Sequence, residues 1–403
     1  MGETQMKRWI VLAAGVVLQL ILGGVYAWSA FVPSLTEQYG LSNGQCGLIF
    51  GVVIGVFTVA MIPGGRLLRR FGPRIVAGAG AALFAAGYVA ASLSGGNFVL
   101  LLLSIGVLSG AGIGAGYVCP LTVAMKWFPN NKGLVTGVAV AGFGGGAVVL
   151  SFLTQYLLQT AQLDVLRVFR IIGIAFGAVA LVAALMLSEP DQSAEQDEVE
   201  PELAGGVMPH VLSGRFGYLL LGLFAATFAG LLTVGNLKPI LLGAGLTPTA
   251  TTLGIALFAV GNASGRIIWG QIHDRIGSRR TVVFSLASLG LALMPLLFDL
   301  PAVYMLALVT VIGIGFGAAF VVYASSMVEH FGVGLFPHLY PVCFLGYGLA
   351  GIIGPAVGGW IKDATGSFAP AIGISVLTVF VACGVYAIAV PAREETMVEE
   401  PAY

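Results

Sequence analysis

Long apolar runs, broken by short polar stretches, fill the chain from residue 9 to residue 390. A helix that crosses a bilayer needs about 20 mainly apolar residues. Twelve runs approach that length: 9–32, 46–68, 75–93, 98–123, 134–159 and 168–187 in the first half, and 216–243, 249–272, 281–298, 302–328, 340–361 and 368–390 in the second. We number them spans 1 to 12. Between the halves, residues 188–215 hold seven carboxylates and no apolar run. The pattern predicts an all-α polytopic membrane protein: a six-helix bundle over 1–187, an acidic cytoplasmic linker over 188–215, a second six-helix bundle over 216–390, and a cytoplasmic tail over 391–403.

Composition agrees. Hydrophobic residues make up 58% of the chain and charged residues 9%, against about 25% charged in soluble domains. A net charge of zero gives a nucleic-acid partner no electrostatic support. Cys46, Cys119, Cys343 and Cys383 lie on four separate spans and read as small packing residues. His210, His273, His330 and His338 fall at span ends or in the linker without ligand spacing, so neither metal nor cofactor is expected. Lys7 and Arg8 precede span 1 and no cleavage site breaks it early, which reads as a retained span rather than a removed signal peptide.

The basic residues set the orientation. With the N-terminus inside, thirteen of the 18 Lys and Arg residues lie on the inner side, and Arg167, Arg170 and Lys362 on the outer. The positive-inside rule then places both termini and the linker in the cytoplasm. A repeat supports the six-plus-six division: Gly65 to Arg74 after span 2 echoes Gly270 to Arg279 after span 8. Parallel repeats place a binding site between the halves near the bilayer midplane. Gly106, Gly110 and Gly114 on span 4, and Gly47, Gly51 and Gly55 on span 2, form small-residue ridges that allow close helix approach.

One charge stands out. Arg266 sits inside span 8, while all 18 acidic residues fall in loops, tails or span ends. An arginine at bilayer depth costs about 2.5–3.5 kcal/mol on insertion scales and marks a substrate or ion pathway. Its counter-ion is therefore expected from outside, as an anion that binds and leaves. The planar guanidinium fork matches a carboxylate's two oxygens. The plainer alternative is an arginine that snorkels to headgroups or bonds backbone carbonyls. Asn262 lies one turn earlier on the same face, as a substrate contact or as interhelical glue. Lys238, toward the outer end of span 7, either snorkels outward or forms a way-station for anions.

The loop Gly270, Asp274, Arg275, Gly277, Arg279, Arg280 follows G-x-x-x-D-R-x-G-x-R-R and resembles the signature inner loop of the major facilitator superfamily. Residues 126–137 after span 4, Gly24-Val-Tyr-Ala-Trp28 on span 1 and the span 8 arginine resemble the branch of monocarboxylate transporters and the oxalate–formate antiporter. The resemblance implies the major facilitator fold, twelve helices in two pseudo-symmetric six-helix bundles. It also implies that Tyr26 and Tyr117 face a substrate, with Phe316, Phe320, Phe344 and Tyr347 at the places of pocket residues. Two departures matter. Arg69 stands where the first-half loop of the superfamily usually has an aspartate. Asn262 stands where many of these carriers have an acid linked to the coupled proton, so the proton carrier is left unassigned. Tyr347 stands where the antiporter has a second cation, and a single pocket cation favours a monocarboxylate.

The expected protein is thus a monomeric, proton-coupled carrier of small monocarboxylates (lactate- or pyruvate-like) in a bacterial inner membrane. Its partners are the anion, the proton and the lipid bilayer. Exchange of the oxalate–formate type is the alternative within carriers. A membrane-embedded enzyme would need acid–base pairs, a Ser/His arrangement or a metal cluster, and the sequence offers none. An anion sensor would need an output domain.

Overall fold

The computed structural model describes residues 3–129, 132–190, 208–298, 300–332 and 335–389. Most of the expected linker (191–207) and the expected tail (391–403) lie outside them. Among the described residues there are helices and no strand. Ten of the helices among these residues are long and apolar enough to cross a membrane. Two of these, Asn43–Ala91 and Pro248–Leu297, are 49 and 50 residues long, about twice the bilayer requirement. Each leaves helical geometry at one glycine: Gly72 at φ 76°, ψ 168°, and Gly277 at φ 73°, ψ 173°. Positive φ favours glycine because no Cβ clashes there. Each long run therefore holds two spans, and the twelve expected spans are present.

The matched angles at Gly72 and Gly277 show that the repeat is one of geometry as well as of letters. It extends further. Arg74 Nε donates to the Leu187 carbonyl at 2.8 Å, and Arg279 Nη2 donates to the Ala387 carbonyl at 2.7 Å. In each half the same arginine thus satisfies a carbonyl at the end of that half's last span, where helical partners run out. Helix starts also match. Ser42 opens span 2 with a capping box to Gln45, and Thr247 opens span 8 by accepting from the Ala250 N–H.

Backbone-to-backbone packing fixes the helices around the centre. On span 10, a Cβ at Gly313 or Gly317 would overlap the carbonyls of Phe258 and Asn262 on span 8. Gly261 and Gly265 of span 8 face the carbonyls of Thr310 and Ile314 in return. The corresponding contact in the first half sets Gly110 and Gly114 of span 4 on Val53 and Phe57 of span 2. Sequence reading found the ridges on spans 2 and 4 and overlooked those on spans 8 and 10. The latter hold the helix that carries Arg266.

The span 2 ridge has a different use: Gly47, Gly51 and Gly55 pack on Pro355, Gly351 and Ile352 of span 11, across the two halves. This seam closes the end of the bundle opposite Gly72 and Gly277. There the Asp363 carboxylate accepts from the Asn43 N–H at 3.1 Å, Asn43 Nδ2 at 2.8 Å and the Gly44 N–H at 2.8 Å. Thr252 Oγ1 of span 8 donates to Gln155 Oε1 of span 5 at 2.9 Å, a second cross-half tie. At the Gly72/Gly277 end lies a cavity of about 520 Å³ between spans 2 and 11, reaching Val118 of span 4. Between spans 2 and 11, one end is sealed by the glycine seam and the other holds the cavity.

Two details differ from expectation. Span 7 is not one continuous helix over 216–243: Gly214–Gly235 stops at Asn236, and Lys238 rides a separate short helix, Leu237–Gly243. Lys238 is 2% exposed, so it does not snorkel to the surface. Span 1 passes from α-helix to a buried 3-10 segment at Gly24–Ala30, where Trp28 Nε1 donates to the Cys46 carbonyl at 2.9 Å.

Candidate functional site

Arg266 lies on the part of span 8 clamped to span 10, which brings Phe320 under it. The guanidinium carbon is 4.3 Å from the Phe320 ring centre, a close cation–π contact. The Tyr117 hydroxyl, from span 4, lies beside the guanidinium. Tyr26, Tyr340 and Tyr347 lie near enough to feel its charge. Among the described residues, no carboxylate lies within salt-bridge distance of Arg266. Its buried Nε has no hydrogen-bond partner, and neither has Oδ1 of Asn262, a residue 1% exposed. Buried polar atoms are satisfied in the great majority of cases, so two orphans one turn apart are unusual.

The aromatic residues named from sequence come together around this arginine. Tyr26 and Tyr347 share a hydrogen bond of 2.8 Å between their hydroxyls, joining span 1 to span 11 across the halves. Tyr26 meets Phe316 edge-on at 6.2 Å, and Phe316 meets Phe320 at 5.2 Å. Phe344 stacks on Tyr347 at 4.9 Å and touches Phe320 at 6.3 Å. Gly230 of span 7 leaves the space that the Phe316 ring fills.

Sequence reading missed four further rings. Phe143 sits between Tyr26 (5.7 Å) and Tyr117 (5.0 Å), and Phe57 between Tyr117 (5.3 Å) and Tyr347 (6.4 Å). Phe258 packs on Phe316 at 5.8 Å, and Tyr340 on Phe344 at 5.5 Å. Phe143 had a usable signal: it is the one large side chain in Gly142-Phe-Gly-Gly-Gly146. The others had none, because an aromatic in so apolar a chain does not announce which way it faces.

The pseudo-symmetry explains why a single charge stands at the centre. Phe57 and Asn262 hold corresponding places, each with its carbonyl against the last ridge glycine of the facing span. One turn on, Met61 corresponds to Arg266. Tyr117 and Phe320, three residues beyond Gly114 and Gly317, correspond as well. Two apolar positions of the first half are thus an amide and a guanidinium in the second. Such a site offers one fixed cation, phenol donors and apolar walls. Walls that exclude water strengthen a charge pair formed inside them.

The loop motif is arranged differently from its letters. Gly277 makes the turn and Gly270 packs on Val321. Asp274, Arg275 and Arg280 are exposed, and none of the three forms a salt bridge with a described residue. The carboxylate that holds the loop is Glu329 of span 10. It accepts from the Ser278 N–H at 3.1 Å and lies 3.5 Å from Nε2 of buried His273. His330 contacts the Ser278 hydroxyl at 3.3 Å. Sequence reading placed His273 and His330 only at span ends or in the linker, since a helix end shows no sign of the neighbouring loop that folds onto it.

Comparison with known proteins agrees with this geometry. The oxalate:formate antiporter of Oxalobacter formigenes is 27% identical over 391 residues, covering 96% of this chain and 92% of that protein. Monocarboxylate transporter 11 of Homo sapiens is 24% identical over 379 residues, covering 89% of this chain and 78% of that protein. Among solved structures, a bacterial homologue of the human lysosomal transporter Spinster, inward-facing and unoccupied, matches with a TM-score of 0.78 at 16% identity. That match covers 96% of this chain and 98% of the other, and it concerns the fold. Residues 12–336 and 219–402 match the Major Facilitator Superfamily. With twelve spans, a repeated glycine turn and this match over most of its length, the chain belongs to the Major Facilitator Superfamily.

Proposed function

We propose that the chain is a secondary transporter of small monocarboxylates, lactate- or pyruvate-like, working by alternating access with proton coupling in a bacterial inner membrane. The observation that carries this reading is Arg266: a guanidinium within the span, stacked on Phe320, beside the Tyr117 hydroxyl and without a described carboxylate partner. A substrate carboxylate would take the place of that partner, and the short organic body would lie among Phe316, Phe320, Phe344 and Tyr347. Likeness to a monocarboxylate transporter and an oxalate:formate antiporter supports an organic anion as cargo.

The charge balance then drives the cycle. Without an anion, Arg266 is an uncompensated charge that resists enclosure. Binding removes that penalty and lets the halves exchange faces. With both termini cytoplasmic, the cavity at the Gly72/Gly277 end opens inward, and the span 2–span 11 seam is the closed outer gate. Asn262 cannot titrate, so the proton enters on the substrate or on a group outside the aromatic cage.

Oxalate–formate exchange is the second reading. A dianion would need another cation, and Tyr347, bonded to Tyr26, supplies a hydroxyl instead. The test is uptake of labelled lactate, pyruvate, formate and oxalate into proteoliposomes free of counter-anion, with and without an imposed pH gradient. Symport predicts gradient-driven lactate accumulation that Arg266→Ala abolishes at normal expression. Uptake that requires oxalate or formate inside the vesicles would establish exchange instead.

A further inference from the structure

The cavity at the Gly72/Gly277 end is not a plain opening. Its span 2 wall carries Arg66 and Arg69, three residues apart on one helix face, and its span 11 wall carries His338. Neither arginine makes an ion pair or hydrogen bond with a described residue. Between them and the cage the lining turns apolar: Met61, Ile62, Val118, Tyr340 and Phe344. Gly65 adds no side chain here, and the space beside it is open. The far wall of the cavity is shared with the central site, because Phe344 touches Phe320 and Phe320 covers Arg266. A chamber of about 520 Å³ thus has at its mouth two guanidiniums without a partner among the described residues, and at its head an aromatic partition of Phe344 and Phe320.

We infer that this chamber holds a second anion site, in which Arg66 and Arg69 receive the carboxylate of a small organic acid after it leaves Arg266, or before it reaches it. The inference rests on the monocarboxylate reading above. Two cations near a low-dielectric wall concentrate anions locally, and their forks accept a carboxylate in the same way as Arg266. A basic inner surface serving only topology would not need its guanidiniums around a cavity. Arg70, on the same turn, is the contrast. It stacks on Phe71 at 5.2 Å and does not line the chamber.

The test measures the half-saturation concentration for labelled lactate presented at the Gly72/Gly277 face of oriented proteoliposomes. Arg66→Gln/Arg69→Gln should raise it about ten-fold, because solvent at the mouth screens the two charge-assisted contacts that are lost. Arg66→Lys/Arg69→Lys should recover most of the loss, and Arg70→Gln should leave the value unchanged. A merely structural role would lower the maximal rate or the folded yield and spare the half-saturation concentration, which would overturn the inference. Anionic headgroups present the same chemistry, so the series is run in purely zwitterionic lipid and again with anionic lipid. A shift confined to anionic lipid would assign the arginines to the membrane and overturn the inference too. If wild-type protein transports no monocarboxylate at all, the central reading fails instead, and the two failures are distinct.

Discussion

Asp363 is the most testable element of the closed end. Its carboxylate takes three hydrogen bonds from the start of span 2, at 3.1, 2.8 and 2.8 Å, and so joins the end of span 11 to the opposite half. Hydrogen bonds to a charged group contribute about 1.5–3 kcal/mol when shielded, and a carboxylate at a helix N-terminus about 0.3–1 kcal/mol. Asp363 is exposed, so solvent screens much of this, as it does for surface ion pairs. About 1–2 kcal/mol for the whole cluster is a fair figure, which changes a two-state ratio about 5–30-fold. Asp363→Ala should therefore raise the ratio of open to closed forms at this end by that factor. Spin labels at the exposed positions Glu37 and Ser367, read by double electron–electron resonance, would report it as growth of a longer distance. Asp363→Asn should lie between wild type and alanine. A distance distribution unchanged by the alanine substitution would show that the glycine seam alone holds the gate, and would refute the lock.

Four other outcomes follow from the packing. Tyr26→Phe should destabilise the protein by about 1–3 kcal/mol, because it leaves the buried Tyr347 hydroxyl unpaired. Adding Tyr347→Phe should restore most of that loss in a thermal unfolding series, and additive losses would argue against the pair. Gly317→Ala should lower both the melting temperature and lactate affinity, since its Cβ overlaps the Asn262 carbonyl and pushes span 10 away from Arg266. Gly78→Ala, with open space around it, should be neutral or slightly stabilising. Lys238→Met should raise the melting temperature, because it replaces a buried cation that has no ion-pair partner among the described residues; a lower melting temperature would show that the charge is compensated.

Much of the fold was legible because the bilayer imposes a length on every span, and a glycine turn flanked by arginines recurs once per half. The turn was readable for a further reason: positive φ at Gly72 and Gly277 demands that residue type. Arg266 was legible because a charge inside an apolar run is rare. Its surroundings were less so. Phe57, Phe258 and Tyr340 gave no sign of facing the centre, since helix azimuth depends on neighbours that are distant in sequence. The Gly261/Gly265 and Gly313/Gly317 contact escaped notice among 59 glycines. The break at Asn236 was hidden because the apolar run continues through it.

The central claim is that Arg266 holds the substrate's carboxylate, and equilibrium binding of radiolabelled lactate to purified protein tests it most directly. Losing two charge-assisted hydrogen bonds removes about 3 kcal/mol or more, so Arg266→Gln should weaken binding at least about 100-fold. Arg266→Lys, which keeps the charge without the planar fork, should lose less. Lactate bound by Arg266→Gln within about three-fold of wild type would contradict the account.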